Sequence, residues 1–182
     1  MTPRFDPTRA VVFDLARGQL RDDEGAARLN LPASLVLRLC DAAGAAGTRD
    51  FAASIGAEVG RRVAERLGDE AQTASLQAWA EHLGGHLALL GLGNLRLERW
   101  GRALVLRVGD VPAELGVLVG GVLEGALSRG LSRSSELVAF TGNGDTAYLV
   151  VSPATAERAR SLRNSGQGLG HVIEDLHKGA AS

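Results

Sequence analysis

The run from Glu114 to Pro153 most narrows the folds open to this chain: a helical pattern gives way to two β-rich runs joined by an Asn-Gly turn. From Leu115 the apolar residues fall at Leu115, Leu118, Val119, Val122, Leu123, Ala126 and Leu127, which is one stripe of a helix. Pro112 stands near the first turn, where a missing N–H costs little, and Gly130 suits the end. Leu137 to Phe140 and Ala147 to Val151 favour strands. Asn143-Gly144 between them tolerates the positive φ of a tight hairpin. Ser152-Pro153 then offers an N-cap and a proline at the first position of a short helix, Ala154 to Leu162.

The other faces of the 115–129 helix carry Gly116, Gly120, Gly121 and Gly125. Each interior glycine costs about 1 kcal/mol relative to alanine, so four of them need a reason. Their spacing lays smooth patches along the helix. Tight packing of the helix on a sheet is one reading, and the wall of a ligand pocket is the other.

Upstream, Met1 to Arg9 is a polar lead-in, Ala10 to Leu15 has the make-up of a short strand, and Arg17 to Asn30 is a second strand or a loop arm. Pro32 opens a helix with Leu35, Val36, Leu39, Cys40 and Ala43 on one face, and Gly44 to Thr48 breaks it. A helix from about Asp50 to Leu67 turns Phe51, Ile55, Val59, Val63 and Leu67 inward, with Arg61, Arg62, Glu65 and Arg66 on a solvated side. A third helix, from about Ala74 to Leu90, has its stripe at Leu76, Trp79, Ala80, Leu83, Leu87 and Leu90. Leu95 to Arg99 and Leu104 to Val108 then alternate around Trp100-Gly101-Arg102, a second hairpin. The expected fold is α+β, with helices packed on one face of a four-stranded antiparallel sheet. Residues 1–30 form an N-terminal arm, 31–162 the α+β domain, and 163–182 a flexible tail after the linker-like Arg163 to Gly170. Val172, Ile173 and Leu176 in that tail read as a frayed end or as a short segment that docks on a partner.

The stretch Gly116-Val117-Leu118-Val119-Gly120-Gly121-Val122-Leu123-Glu124-Gly125, with the hairpin that ends at Val151-Ser152-Pro153, resembles the C-terminal half of the 4-vinyl-reductase-type domain, a relative of the TRAPP vesicle-tethering subunits. The resemblance spans Leu31 to Leu162. It implies the α+β fold, a regulatory or binding role, and subunits that pair through N-terminal elements. Many members carry cysteines on or between the last two strands and bind metal there. Glu136 to Val150 has no cysteine, so the resemblance argues against a metal site in this chain.

Function classes narrow by composition. A net charge of −1 with both signs interspersed, and 4% aromatic residues, give neither the basic footprint nor the stacking platforms of nucleic-acid binding. No apolar run approaches the length of a membrane span, no signal-peptide core fits residues 1–20, and the one cysteine, Cys40, sits at an apolar helical position; a cytoplasmic location is expected. His82 and His86 are four apart beside Trp79, a spacing that can share a metal, but Glu81 precedes the pair and no third ligand is near in sequence. Phosphate loops and nucleophile elbows are missing. Ser132, Ser134 and Ser135 have no motif partner, and Asp22-Asp23 and Asp69-Glu70 resemble loop or helix-end residues.

The leading expectation is therefore a non-catalytic, homodimeric adaptor or scaffold without a cofactor, holding protein partners. The alternative is a sensor in which Trp79, His82, His86, Gly120, Gly121 and Phe140 line a pocket for a small hydrophobic ligand. A third reading is an enzyme whose site one sequence does not disclose.

Overall fold

The computed structural model describes residues 5–68, 76–111, 113–130, 135–142 and 144–179. Expectations that rest on Asp69-Glu70, on Ala74, on Pro112, on Ser132 and Ser134, and on Asn143 lie outside those residues.

A short helix α1 (Pro7–Ala10) leads into a two-stranded antiparallel arm, β1 (Val11–Asp14) and β2 (Gln19–Asp22). Helix α2 (Ala33–Leu67) follows, then α3 (Leu76–Leu89) and the hairpin β3 (Asn94–Trp100) and β4 (Ala103–Gly109). A single 3-10 turn, Ala113–Leu115, runs into α4 (Gly116–Gly130). The chain closes with β5 (Glu136–Thr141), β6 (Asp145–Val151), α5 (Pro153–Asn164) and α6 (Leu169–Gly179). The main sheet has the order β3-β4-β6-β5 and every neighbouring pair is antiparallel. The fold is α+β.

Helix α2 corrects one boundary. The expected break at Gly44 to Thr48 is a one-residue kink: Gly44 takes φ 71° and ψ 178°, and helix resumes immediately. A residue with a side chain resists that φ. The Thr48 hydroxyl donates to the Cys40 carbonyl at 2.9 Å, satisfying an acceptor next to the kink.

The sheet has helices on both faces, so the expectation of helices on one face is corrected. Side chains alternate along each strand. Leu106, Val108, Tyr148 and Leu137 point one way and join the core made with α2, α3 and α4. Val105, Leu149, Ala147 and Val138 point the other way and pack with Ala159 of α5 and with Val172 and Ile173 of α6. Within the stretch read as a flexible tail, Leu169–Gly179 is thus helix. Leu169, Val172, Ile173 and Leu176 form its apolar stripe, and that stripe lies on the chain's own sheet.

The glycines of α4 divide by what they face. A Cβ on Gly121 would sit 2.6 Å from the Ala52 Cβ, and one on Gly125 would sit 2.3 Å from the Ala53 carbonyl oxygen. Gly56 and Gly60 of α2 are equally close to the α4 backbone at Val122 and Ala126. Two helices here meet backbone to backbone, which only residues without side chains permit. The tight packing is against a helix, not the sheet. Gly116 and Gly120 are different: nothing stands within 4 Å of a Cβ on the first, and the Tyr148 ring is 3.5 Å from one on the second.

Candidate functional site

The arm is fastened to α2 by buried charge. Asp22, at the end of β2, is 3% exposed and Arg62 of α2 is 8% exposed. Asp22 Oδ1 accepts the backbone N–H groups of Ala26 at 2.7 Å and Glu24 at 3.2 Å. Its Oδ2 accepts Arg28 Nε at 3.0 Å and lies 2.8 Å from Arg62 Nη1. Burial works to raise the Asp22 pKa, but the Ala26 N–H and the two guanidinium groups outweigh it and hold the carboxyl below its ordinary range. Arg62 Nε also donates to Glu58 at 2.8 Å, and hydrogen bonds from Arg61 and Arg62 bring Glu58 down to about 2. Arg66 pairs with Asp23. Neither Asp22 as a plain loop residue nor Arg62 on a solvated face describes this network.

The arm and the front of α2 each carry apolar side chains that the described residues leave exposed. Val12, Phe13 and Leu15 on and after β1 are exposed, as are Leu29 and Leu31 before α2 and Leu35 and Leu39 on it. Leu15 is 87% exposed and Leu39 66%. Leu31, Leu35 and Leu39 stand at four-residue intervals and, with Arg38, line a shallow groove of about 450 Å³. Val36 and Leu37, on the other side of this segment, pack against the core. The segment therefore has two apolar faces, and the sequence stripe through Leu35, Val36, Leu39 and Cys40 merged them.

The six residues expected to share a ligand pocket lie in three places. Trp79, His82 and His86 are buried on α3. Phe5 docks edge-on to both imidazoles, with ring centroids 6.2 Å from His82 and 5.3 Å from His86. Its ring lies where a Cβ on Gly85 would be, 2.3 Å from the nearest carbon, which explains the glycine between the histidines. Burial, with Arg62 and Arg28 nearby, pulls His86 down to about 4, so it is neutral at pH 7. Among the described residues no cluster of three or more His, Cys, Asp or Glu side chains forms.

Gly120 and Gly121 border a separate cleft of about 410 Å³ between α4 and the β5–β6 hairpin, with Arg49, Glu124, Leu137 and Tyr148 among its other walls. Tyr148 closes its floor, donating from its hydroxyl to the Gly116 carbonyl at 3.2 Å. Burial, with Glu124 nearby, pushes the phenol up to about 12. Glu124 is likewise raised by desolvation.

Phe140 is on the opposite face of the sheet, packed beside the α5–α6 cluster. Val172 and Ile173 are buried in that cluster and Leu176 is half-buried at its edge, so these side chains already have a partner within the chain. Among the described residues no helix is long and apolar enough to cross a membrane.

No known protein-family model and no curated protein matches the chain.

Proposed function

We propose that this chain is a non-catalytic protein-interaction module that pairs with a second copy of itself through the arm and the front half of α2. The observation that carries the reading is the apolar row at Leu31, Leu35 and Leu39; Val12, Phe13 and Leu15 of the arm are exposed as well. Single exposed apolar residues are ordinary, but a row of leucines at helical spacing is not, and its burial is worth about 25 cal/mol per Å². A second copy suits it because Arg38 and Asp41 are the only charged residues from Leu31 to Ala43, so the segment has no net charge to repel its own kind. The resemblance to 4-vinyl-reductase and TRAPP-type subunits supports the same reading, and in that role the protein serves a regulatory or assembly system in the cytoplasm.

Sedimentation equilibrium tests it. The chain should be dimeric at concentrations of about 10 µM, and Leu35→Glu with Leu39→Glu should return a folded monomer. A wild-type monomer at about 100 µM overturns the pairing.

The cleft beside Gly116, Gly120 and Tyr148 favours a second reading, a sensor for a small hydrophobic ligand. Its volume, about 410 Å³, falls within the range of small-molecule sites. Native mass spectrometry before and after denaturation separates the two: a released small molecule supports the sensor, and a bare dimer supports the adaptor.

A further inference from the structure

Helices α5 and α6 cover only part of the second face of the sheet. Val105, Leu149 and Val138 lie beneath them, in one register row. The next row on that face runs Arg96, Arg107, Ala147 and Phe140 across all four strands. Over it opens a cleft of about 600 Å³, whose walls include Trp100 on one side and Arg163 with the Gly166 to Leu169 loop on the other.

The charges at this cleft are out of balance. Arg96 and Arg107 stand directly opposite each other on β3 and β4, a like-charge pairing that weakens a sheet. Glu98 accepts Arg107 Nε at 2.9 Å and Trp100 Nε1 at 2.9 Å, which ties the indole back toward Arg107. Asp145 is 4.0 Å from Arg107. Arg163 has no carboxylate among the described residues. Its Nε and Nη2 donate to Asn164 Oδ1 at 3.2 and 2.9 Å, and its Nη1 donates to the Ala139 carbonyl at 3.3 Å. A planar guanidinium fork that meets only neutral oxygens is suited to a phosphate or carboxylate. Two aromatic side chains, Trp100 and Phe140, line the same cleft, and Trp100 is 37% exposed.

We propose that this cleft binds a planar aromatic anion of about nucleoside-monophosphate size. The ring lies against the exposed Trp100 indole, and the anionic group reaches across the cleft to the Arg163 guanidinium. The site is on the face of the sheet opposite the Gly120 cleft and shares no residue with the leucine groove, so it stands or falls apart from the pairing proposed above.

Indole fluorescence reads it directly, because Trp79 is buried and Trp100 is exposed. AMP, phenyl phosphate and benzoate are titrated into the full chain, with adenosine and inorganic phosphate as fragments and calorimetry in parallel. Saturable quenching by at least one of the aromatic anions, with weaker binding of both fragments, is expected. Arg163→Gln and Trp100→Leu should each weaken binding about tenfold, the scale of one charge-assisted or stacking contact, while Arg129→Gln, at an exposed position of α4, leaves it unchanged. Thermal melts of the variants confirm that they fold. Three results overturn the proposal: no saturable binding of any aromatic anion up to about 5 mM, phosphate binding as tightly as AMP, or folded Arg163 and Trp100 variants that bind like wild type.

Discussion

Before Gly44, α2 turns Leu35 and Leu39 to solvent; after it, the same helix brings Gly56 and Gly60 into backbone contact with α4. Exposed leucines mark the first half, while in the second, where Phe51 is also exposed, residues with no side chain make the closest contact. Residue size alone therefore does not mark where a helix is most tightly held. A glycine pair lets two backbones approach and leaves no slack for a methyl group, whereas a leucine row that no described residue covers tolerates change.

The comparison sharpens through substitution. Gly125→Val, in the closed half, should have the largest effect: its Cβ would be 2.3 Å from the Ala53 carbonyl oxygen, with further methyls beyond it. A loss of about 4 kcal/mol or more is expected in urea denaturation, because backbone must move to relieve the clash. A loss under about 1 kcal/mol would show that the α2–α4 contact is looser than described.

Next is Asp22→Asn, which takes from Arg62 its one buried carboxylate and leaves it the half-exposed Glu58 and Glu24. Breaking a buried pair from one side costs about 3 kcal/mol, and the arm should become sensitive to protease before the core does. Equal protease sensitivity of variant and wild type would mean that the arm is held by other contacts.

Acid should act in the same direction through His86. The unfolded chain takes up this proton near pH 6.5, while the folded chain waits until about 4. Stability therefore rises with pH across that interval and is lost as the solution is acidified, by on the order of 3 kcal/mol. Asp22, with its lowered pKa, adds loss of the same sign at still lower pH. His86→Gln should flatten the profile between pH 4 and 6.5, and an unchanged slope would place the titration elsewhere.

The smallest effects belong to open positions. Leu39→Glu should change the stability of the monomer by no more than about 0.5 kcal/mol while weakening the proposed pairing. Gly116→Ala, with nothing within 4 Å of the new methyl, should raise stability by about 0.5–1 kcal/mol. Opposite signs for Gly116→Ala and Gly125→Val on one helix would isolate packing from helix propensity.

Much of the fold was legible in the sequence because it is local. The stripe from Leu115 to Leu127 found α4, alternation found β3 and β4, and Ser152-Pro153 found the start of α5. The second layer had a signal too: Leu104 to Leu106 and Ala147 to Val151 are apolar on both sides of the strand, the mark of a sheet buried on both faces. Less of the candidate site was legible. Trp79, His82 and His86 share a helix edge, yet what fills the space beside the histidines is Phe5, more than seventy positions earlier in the chain. Nothing local marks that contact.

By itself, the sequence determined most of the helices and strands and where the β5–β6 hairpin turns, because periodicity and backbone freedom act over a few residues; it gave a break between two helices where α2 only kinks at Gly44, and a tail where α6 forms. Tertiary structure alone decided that α5 and α6 cross to the far face of the sheet and that Asp22 is buried against Arg62. It also decided that Gly125 meets a helix while Gly120 borders a cleft. Each of these depends on which distant surface arrives at a residue, and a side chain's own chemistry fits it to several such surfaces at similar free energy until packing selects one.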